Sequence, residues 1–323
     1  MARWSRAGLA VLAFVALATP IKRPPPGPPR GPATARIAAE PVSLDESEPG
    51  QRSAGSLTFL AGWALTSDEP RFGGISAMAV EGDRVTAISD SGILLQFAVP
   101  GLGNTRLDVT PLPEGPGDPR RKEDRDTESM FISGSTAWLA FENSNQIWRY
   151  RRPGWRAEAR SAPPAMRGWP TNRGAEGIVR LADGRFLVIS ESLEQDWSSP
   201  ALLFPGDPTG AREPLALRFR PARGYRITDV GQMPDGRLLL LQRRLTILDG
   251  ASAKLVVVDL AALTPGAIIE GREIAHLDAP LSVDNMEALS IRREGGRTIV
   301  WLASDDNYFP LQRTLLMKFA LTE

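Results

Sequence analysis

Acidic residues recur in this chain at the two ends of paired hydrophobic runs, and oxygen-ligand chemistry is what such a recurrence can do. In "GAEGIVRLADGRFLVISES", residues 174–192, Glu176 precedes one apolar run and Glu191 closes the next. The run-start set is Glu128, Glu176, Asp229 and Glu287, with the neutral pair Gly73-Gly74 in the first segment. The run-end set is Asp90, Glu142 with Asn143, Glu191, Gln242 with Arg243, and Asp305 with Asp306 and Asn307. Like charges gathered in one place raise one another's proton affinity, and a cation, an arginine or a shared proton must compensate. Carboxylates, amides and backbone carbonyls suit a hard cation, so Ca²⁺ is the expected occupant, with Glu128, Glu176, Asp229, Glu287 and Asp305 as ligands. The chain has no cysteine and a single histidine, His276. Thiolate sites, histidine-cluster metal sites and Ser-His triads therefore drop out. Arg243 offers an internal counter-charge.

The elements that must position these residues repeat with a spacing of about 50 residues. The segments begin "GGISAMAVEGDRVTAISDSG" at Gly73, "DTESMFISGSTAWLAFENSN" at Asp126, "GAEGIVRLADGRFLVISES" at Gly174, "ITDVGQMPDGRLLLLQRR" at Ile227 and "DNMEALSIRREGGRTIVWLASDDN" at Asp284. Asp-Gly and Gly-Gly at their centres supply the positive φ of tight hairpin turns. Further strand-like runs follow each pair, and long amphipathic helices are absent. Four antiparallel strands per repeat describe an all-β fold, a β-propeller. Five blades are counted; a sixth would have to be distributed through "PLPEGPGDPRRKEDR". The last repeat lacks its fourth strand, which "GSLTFLAGWAL" from the N-terminal side is expected to supply, closing the ring. In a blade, the start of the first strand and the end of the second lie at the same channel mouth, so both acidic sets face one opening.

The bounds are consistent with one large domain at 55–323, since 323 residues with 42% hydrophobic content can bury one core. Basic and acidic residues balance at 38 each, so no global field draws the chain to nucleic acid. Arg3 and Arg6, the run "GLAVLAFVALA" and Ala16-Leu17-Ala18 make residues 1–18 a signal peptide or a short uncleaved anchor. The domain is then periplasmic or secreted, or held at the inner membrane by that anchor alone. Residues 19–54, opening "TPIKRPPPGPPRGPA", are expected to be a Pro-rich linker. Trp138, Trp148 and Trp301 fall in strand patterns and are expected to pack between blades, whereas Trp169 and Trp197 in loops are candidates for lining the mouth. Arg173, Arg243 and Arg313 each sit beside an acidic motif, where a guanidinium can clamp phosphate or carboxylate.

Taken in order, "GGISAM", "DTESM", "NRGAEGI", "FLVISES", "ITDVGQMPDGRLLLLQRR" and "DNMEALSIRREGGRTIVWLASDDNYFPLQRTLLMKFAL" resemble the bacterial phytase-like propeller family, also called esterase-like activity of phytase, from about Gly55 to Leu321. Family members commonly carry Glu-Gly at the run start; this chain keeps Glu176-Gly177 but has Glu128-Ser129 and Glu287-Ala288. Gln242 stands where the family pattern has glutamate in the fourth blade. The resemblance implies a hydrolase of small-molecule phosphate or carboxylic esters. In that reading a cation polarises the substrate oxygen, Glu191 or Glu142 is the general base, and Arg243, Arg173 or Arg313 holds the anionic part of the substrate. No G-x-S-x-G nucleophile motif occurs. The alternative is a non-catalytic propeller of the cell envelope that captures a ligand or protein at the same mouth.

Overall fold

The computed structural model describes residues 31–322 except Ile247. The expected export segment, residues 1–18, lies outside the described residues. Strand β1 (Ala33–Pro41) and the short β2 (Ser53–Ala54) lead to β3 (Leu57–Ser67). A four-strand meander follows, made of β4 (Ile75–Glu81), β5 (Arg84–Ser89), β6 (Ile93–Ala98) and β7 (Arg106–Pro111). The next is β8 (Thr127–Ser133), β9 (Thr136–Phe141), β10 (Gln146–Arg151) and β11 (Arg156–Ser161). Then come β12 (Ala175–Arg180), β13 (Phe186–Ser190), β14 (Ser199–Phe204) and β15 (Leu215–Phe219). Strands β16 (Arg226–Gln232), β17 (Leu238–Thr246) and β18 (Gly250–Val258) are completed by β20 (Arg272–Leu277), while the intervening β19 (Ile268–Ile269) pairs in parallel with β15. The chain ends with β21 (Met286–Glu294), β22 (Arg297–Ser304) and β23 (Thr314–Leu321).

The second strand of each meander is apolar almost throughout, as in Leu238–Leu241 and Phe186–Ile189, because both of its faces are covered. Outer strands alternate instead: β11, "RAEARS", switches between exposed and half-buried at every residue. Each core cluster lies between neighbouring meanders. Ala77 and Leu94 meet Leu139 and Trp148; Ala140 meets Phe186 and Val188; Val179 and Leu187 meet Val230 and Leu240. Leu239 and Leu255 meet Leu289 and Leu302, and Trp301 and Ala303 return to Met78 and Leu95. The ring closes. The inner strands β4, β8, β12, β16 and β21 likewise touch in succession and β21 touches β4, the arrangement of a β-propeller.

Closure uses β3 as the outer strand beside β23, with Leu57 opposite Leu321 and Leu65 opposite Thr314. Phe59 packs edge-on to Phe319 at 5.6 Å, and Trp63 stacks on Trp301 at 6.3 Å. A second closure was not expected. Strand β1 lies between the outer edges of β3 and β7, pairing antiparallel with both, so two meanders fuse into one ten-stranded sheet. The expected linker 19–54 is corrected here: from Ala33 the chain is strand, and Leu44 is fully buried. Two open edges recruited it, because an unpaired edge is costly and a short extended segment was adjacent. The segment between β7 and β8 holds one helical turn, Lys122–Arg125, and no strand. Among the described residues no helix is long and apolar enough to cross a membrane.

Candidate metal centre at the channel mouth

Near the start of each inner strand the pairing with its neighbour slips by one residue. The slips fall between Ile75 and Ala77, Thr127 and Ser129, Ala175 and Gly177, Ile227 and Asp229, and Met286 and Ala288. A β-bulge leaves one residue unpaired and re-aims its side chain. Ser76, Glu128, Glu176, Thr228 and Glu287 are therefore equivalent positions. Two residues earlier stand Gly74, Asp126, Gly174, Arg226 and Asn285; across the pair stand Asp90, Glu142, Glu191, Arg243 and Asp305. Backbone bonds tie these last two sets together. The amide of Asp90 donates to Gly74 O at 3.0 Å, Glu142 to Asp126 O at 2.9 Å, Glu191 to Gly174 O at 3.0 Å and Asp305 to Asn285 O at 2.9 Å. Arg226 and Arg243 are in register. Each blade thus contributes three positions to the mouth, all acidic in the second blade and basic or neutral in the fourth.

In the second blade one carboxylate oxygen each from Asp126, Glu128 and Glu142 lies within 4.8 Å of the others. Protein surrounds Glu128, although it and Asp126 keep partial contact with channel solvent. Burial, followed by Glu176 and Asp126, pushes the Glu128 carboxyl well above its usual range. Burial pushes Asp126 up to about 6 against the pull of Lys122, and burial with the charge of Asp126 pushes Glu142 up to about 7. Carboxyls touch carboxyls here: Asp126 meets Glu128, and Glu142 meets Glu176. Asn143 Nδ2 donates to Asp126 at 2.6 Å, and the Gly174 amide donates to Glu142 Oε1 at 3.1 Å. Such donors orient the oxygens without supplying charge.

The cations of the mouth are spent elsewhere. Arg243 Nη2 donates to Glu191 Oε1 at 3.0 Å, its Nη1 to Asn285 Oδ1 at 2.9 Å, and its Nε lies 3.1 Å from Glu287 Oε1, an ion pair without hydrogen-bond alignment. Asn285 Nδ2 completes the set on Glu287 Oε1 at 2.7 Å. Lys122, from the helical turn, sits 2.6 Å from Asp90. Among the described residues no lysine or arginine comes within 4.0 Å of Asp126, Glu128, Glu142, Glu176 or Asp305. A largely buried carboxylate group that no cation touches, with only the more distant pull of Lys122, is a costly arrangement that a hard divalent cation would relieve, and the all-oxygen donor set fits one.

These positions fall within one matched span. The model of the family described as phytase-like, esterase-like activity of phytase, matches residues 70–308. The chain belongs to the phytase-like family. No curated protein sequence matches it. Among solved structures it resembles hydrazine synthase of Kuenenia stuttgartiensis at 12% identity and TM-score 0.37, covering 75% of this chain and 59% of that one. A protein provisionally assigned as a gluconolactonase matches at 13% identity, 94% and 99% coverage and TM-score 0.44. The PQQ-bound aldose sugar dehydrogenase of Streptomyces coelicolor matches at 12% identity, 91% and 99% coverage and TM-score 0.46.

The phytase-like mouth differs from the expected ligand set in informative ways. Glu128 is brought together with Asp126, which sequence reasoning missed, and with Glu142, expected as a base. Glu176 adjoins them through Glu142, while Glu287 is turned to Arg243. Asp229 is a correction: it lies one residue past the bulge, where the other blades carry Ala77, Ser129, Gly177 and Ala288. Its oxygens accept the amides of Val230 and Leu289, each at 2.7 Å, so it clips two blades together. Asp305 accepts the Asn307 amide at 2.6 Å and is raised first by burial, then by Glu287 and Asp90. Arg243, expected both as an internal counter-charge and as a substrate clamp, takes the first of these places, pinned between Glu191 and Glu287. Arg313 pairs with Glu46 at 3.3 Å, and Arg173 is exposed at the rim. Gln242 is buried and accepts the Ala222 amide at 2.8 Å. Trp169 is buried in the core rather than lining the mouth, whereas Trp197 is 63% exposed at φ +63° in the loop after Glu191. The neutral Gly73-Gly74 pair has its reason too. A Cβ on Gly74, at φ +61°, would lie 2.6 Å from the Tyr308 ring, and the Gly74 amide is held by Asp306 at 3.0 Å.

Proposed function

We propose that this phytase-like chain is a five-bladed propeller that binds a hard divalent cation, Ca²⁺ first, on Asp126, Glu128 and Glu142, and hydrolyses small-molecule phosphate or carboxylic esters beside it. The observation that carries the reading is the carboxylate triple of the second blade, which no lysine or arginine contacts directly. A bound cation would polarise the ester oxygen and acidify a water. The chain's own residues do the rest. Glu191, fixed by Arg243, accepts the proton of the attacking water, and Glu176 faces it as the second acidic wall. With Arg243 occupied, Arg173 at the rim is the guanidinium left to meet the anionic part of the substrate. The family's description as esterase-like supports the same class, and the sequence of residues 1–18 supports work outside the cytoplasm, free or anchored.

One observation favours a second reading, capture without chemistry: Trp197 is presented to solvent in a left-handed conformation that non-glycine residues adopt at a cost. Calorimetric titration with Ca²⁺, Mg²⁺ and Mn²⁺, together with hydrolysis of p-nitrophenyl phosphate and acetate with and without chelator, separates them. Glu128→Gln is expected to lose cation binding and hydrolysis together, and Glu191→Gln to lose hydrolysis alone. Absence of divalent-cation binding sinks the hydrolase and leaves the capture module.

A further inference from the structure

The opposite rim of the propeller carries a cavity of about 490 Å³ wedged between the last two blades. It lies seven residues along the chain from the bulge at Thr228 to Asp235, roughly 20 Å of strand away from the mouth. Its apolar lining includes Val257, Ile274 and Leu321. Three arginines line it from separate places: Arg237 after the β16–β17 turn, Arg272 at the start of β20 and Arg293 near the end of β21. Asp235, the acid that also lines the cavity, is bound to Arg237 through Nε at 2.9 Å and Nη2 at 2.6 Å. The neighbouring acids are taken as well: Glu273 by Lys254, and Glu294 by Arg292 and Lys318. Arg272 and Arg293 have no acidic partner among the described residues, and both are exposed toward a concave space of ligand size.

We propose that this cavity is a second binding site, for a small organic anion whose oxyanion groups are held by Arg272 and Arg293 and whose apolar body lies on Ile274 and Leu321. Guanidinium forks match carboxylate and phosphate alike, so the shared chemistry is the oxyanion and the apolar body is the selective part. The site adjoins the seam where β2–β3 meets the chain's C-terminal strand: the Ser56 amide donates to Ile274 O and the Thr322 amide to Ser56 O, each at 2.7 Å. A ligand there would sit beside that closure.

The test is calorimetric titration of the intact domain with phenyl phosphate, isophthalate and inorganic phosphate, at constant ionic strength and with chelator present so that no cation at the mouth competes. Phenyl phosphate, isophthalate or both are expected to bind and to raise the melting temperature, with inorganic phosphate weaker by about tenfold for want of an apolar body. The pair Arg272→Gln and Arg293→Gln should weaken binding by about tenfold or more. Arg297→Gln, an exposed arginine of the same hairpin outside the cavity, should leave it unchanged. Failure of both organic probes to bind overturns the proposal, as does an equal loss with Arg297→Gln, which would mark diffuse surface charge.

Discussion

Raising the pH in the presence of chelator should destabilise this protein, and Ca²⁺ should remove the effect. Glu142 ordinarily loses its proton near 4.5, but in the folded chain burial and Asp126 defer that loss to about 7. Between those values the unfolded chain has shed a proton that the native state keeps. The native state binds more protons, so stability falls as pH rises, and the loss is complete above pH 7. At about 1.4 kcal/mol per pH unit, this one carboxyl accounts for about 3 kcal/mol. Asp126, pushed up to about 6, acts in the same direction. An unfolding entropy of about 0.6 kcal/mol/K for a domain of this size converts that to a fall in Tm of about 5 °C between pH 5 and pH 8. Ca²⁺ at about 100 times its Kd adds about 2.7 kcal/mol at pH 8, close to what deprotonation removes. Scanning calorimetry across pH 5 to 8, in chelator and in Ca²⁺, measures both curves, and Glu142→Gln should make the chelator curve shallower, leaving the part due to Asp126. A melting temperature that is flat with pH in chelator, or a fall that no divalent cation reverses, would refute the reasoning.

Asp229→Asn should cost about 2 kcal/mol, because an amide nitrogen would face backbone N–H groups that the carboxylate now accepts; chemical denaturation should show this with the cation response intact. Deleting residues 31–41 should expose the outer edges of β3 and β7 and shift the protein toward aggregates on size-exclusion chromatography while the ring core survives.

Much of the architecture was legible because hydrophobic runs, Asp-Gly turns and terminal acids repeat in step. Gly184 and Gly236 stand at φ +90° and +94° in the turns that those dipeptides mark. The exact face of each acid was not legible, because a bulge is a property of pairing rather than composition. Asp229 and Glu287 look alike in sequence, each at the head of an apolar run, yet the slip falls on Thr228 in one strand and on Glu287 in the other. Asp126 was hidden for a related reason: its position is glycine in the first and third blades, so no recurrence marks it. Strand β1 was hidden by composition. "ATARIAAEP" is alanine-rich and weakly β-forming, and only two waiting edges make it a strand.

The unequal loading of the ring explains why the candidate cation position falls in the second blade. The sole guanidinium at a strand-end position, Arg243, contacts carboxylates of its two neighbouring blades, Glu191 and Glu287. Attraction between unit charges falls with distance, from about 4 kcal/mol at 4 Å in a protein-like medium. Lys122 reaches the first blade at Asp90 from a connecting segment. The second blade is left outside the immediate contacts of both, and there all three mouth positions are acidic. The equivalent positions of the first and last blades carry neutral Ser76 and Asn285, both buried and bonded to protein: Ser76 Oγ to the carbonyls of Ile88 and Thr127, Asn285 to Arg243 and Glu287. Three carboxylates that neither Arg243 nor Lys122 contacts directly form a group that could hold a cation, and its place in the ring follows from where those two side chains stop.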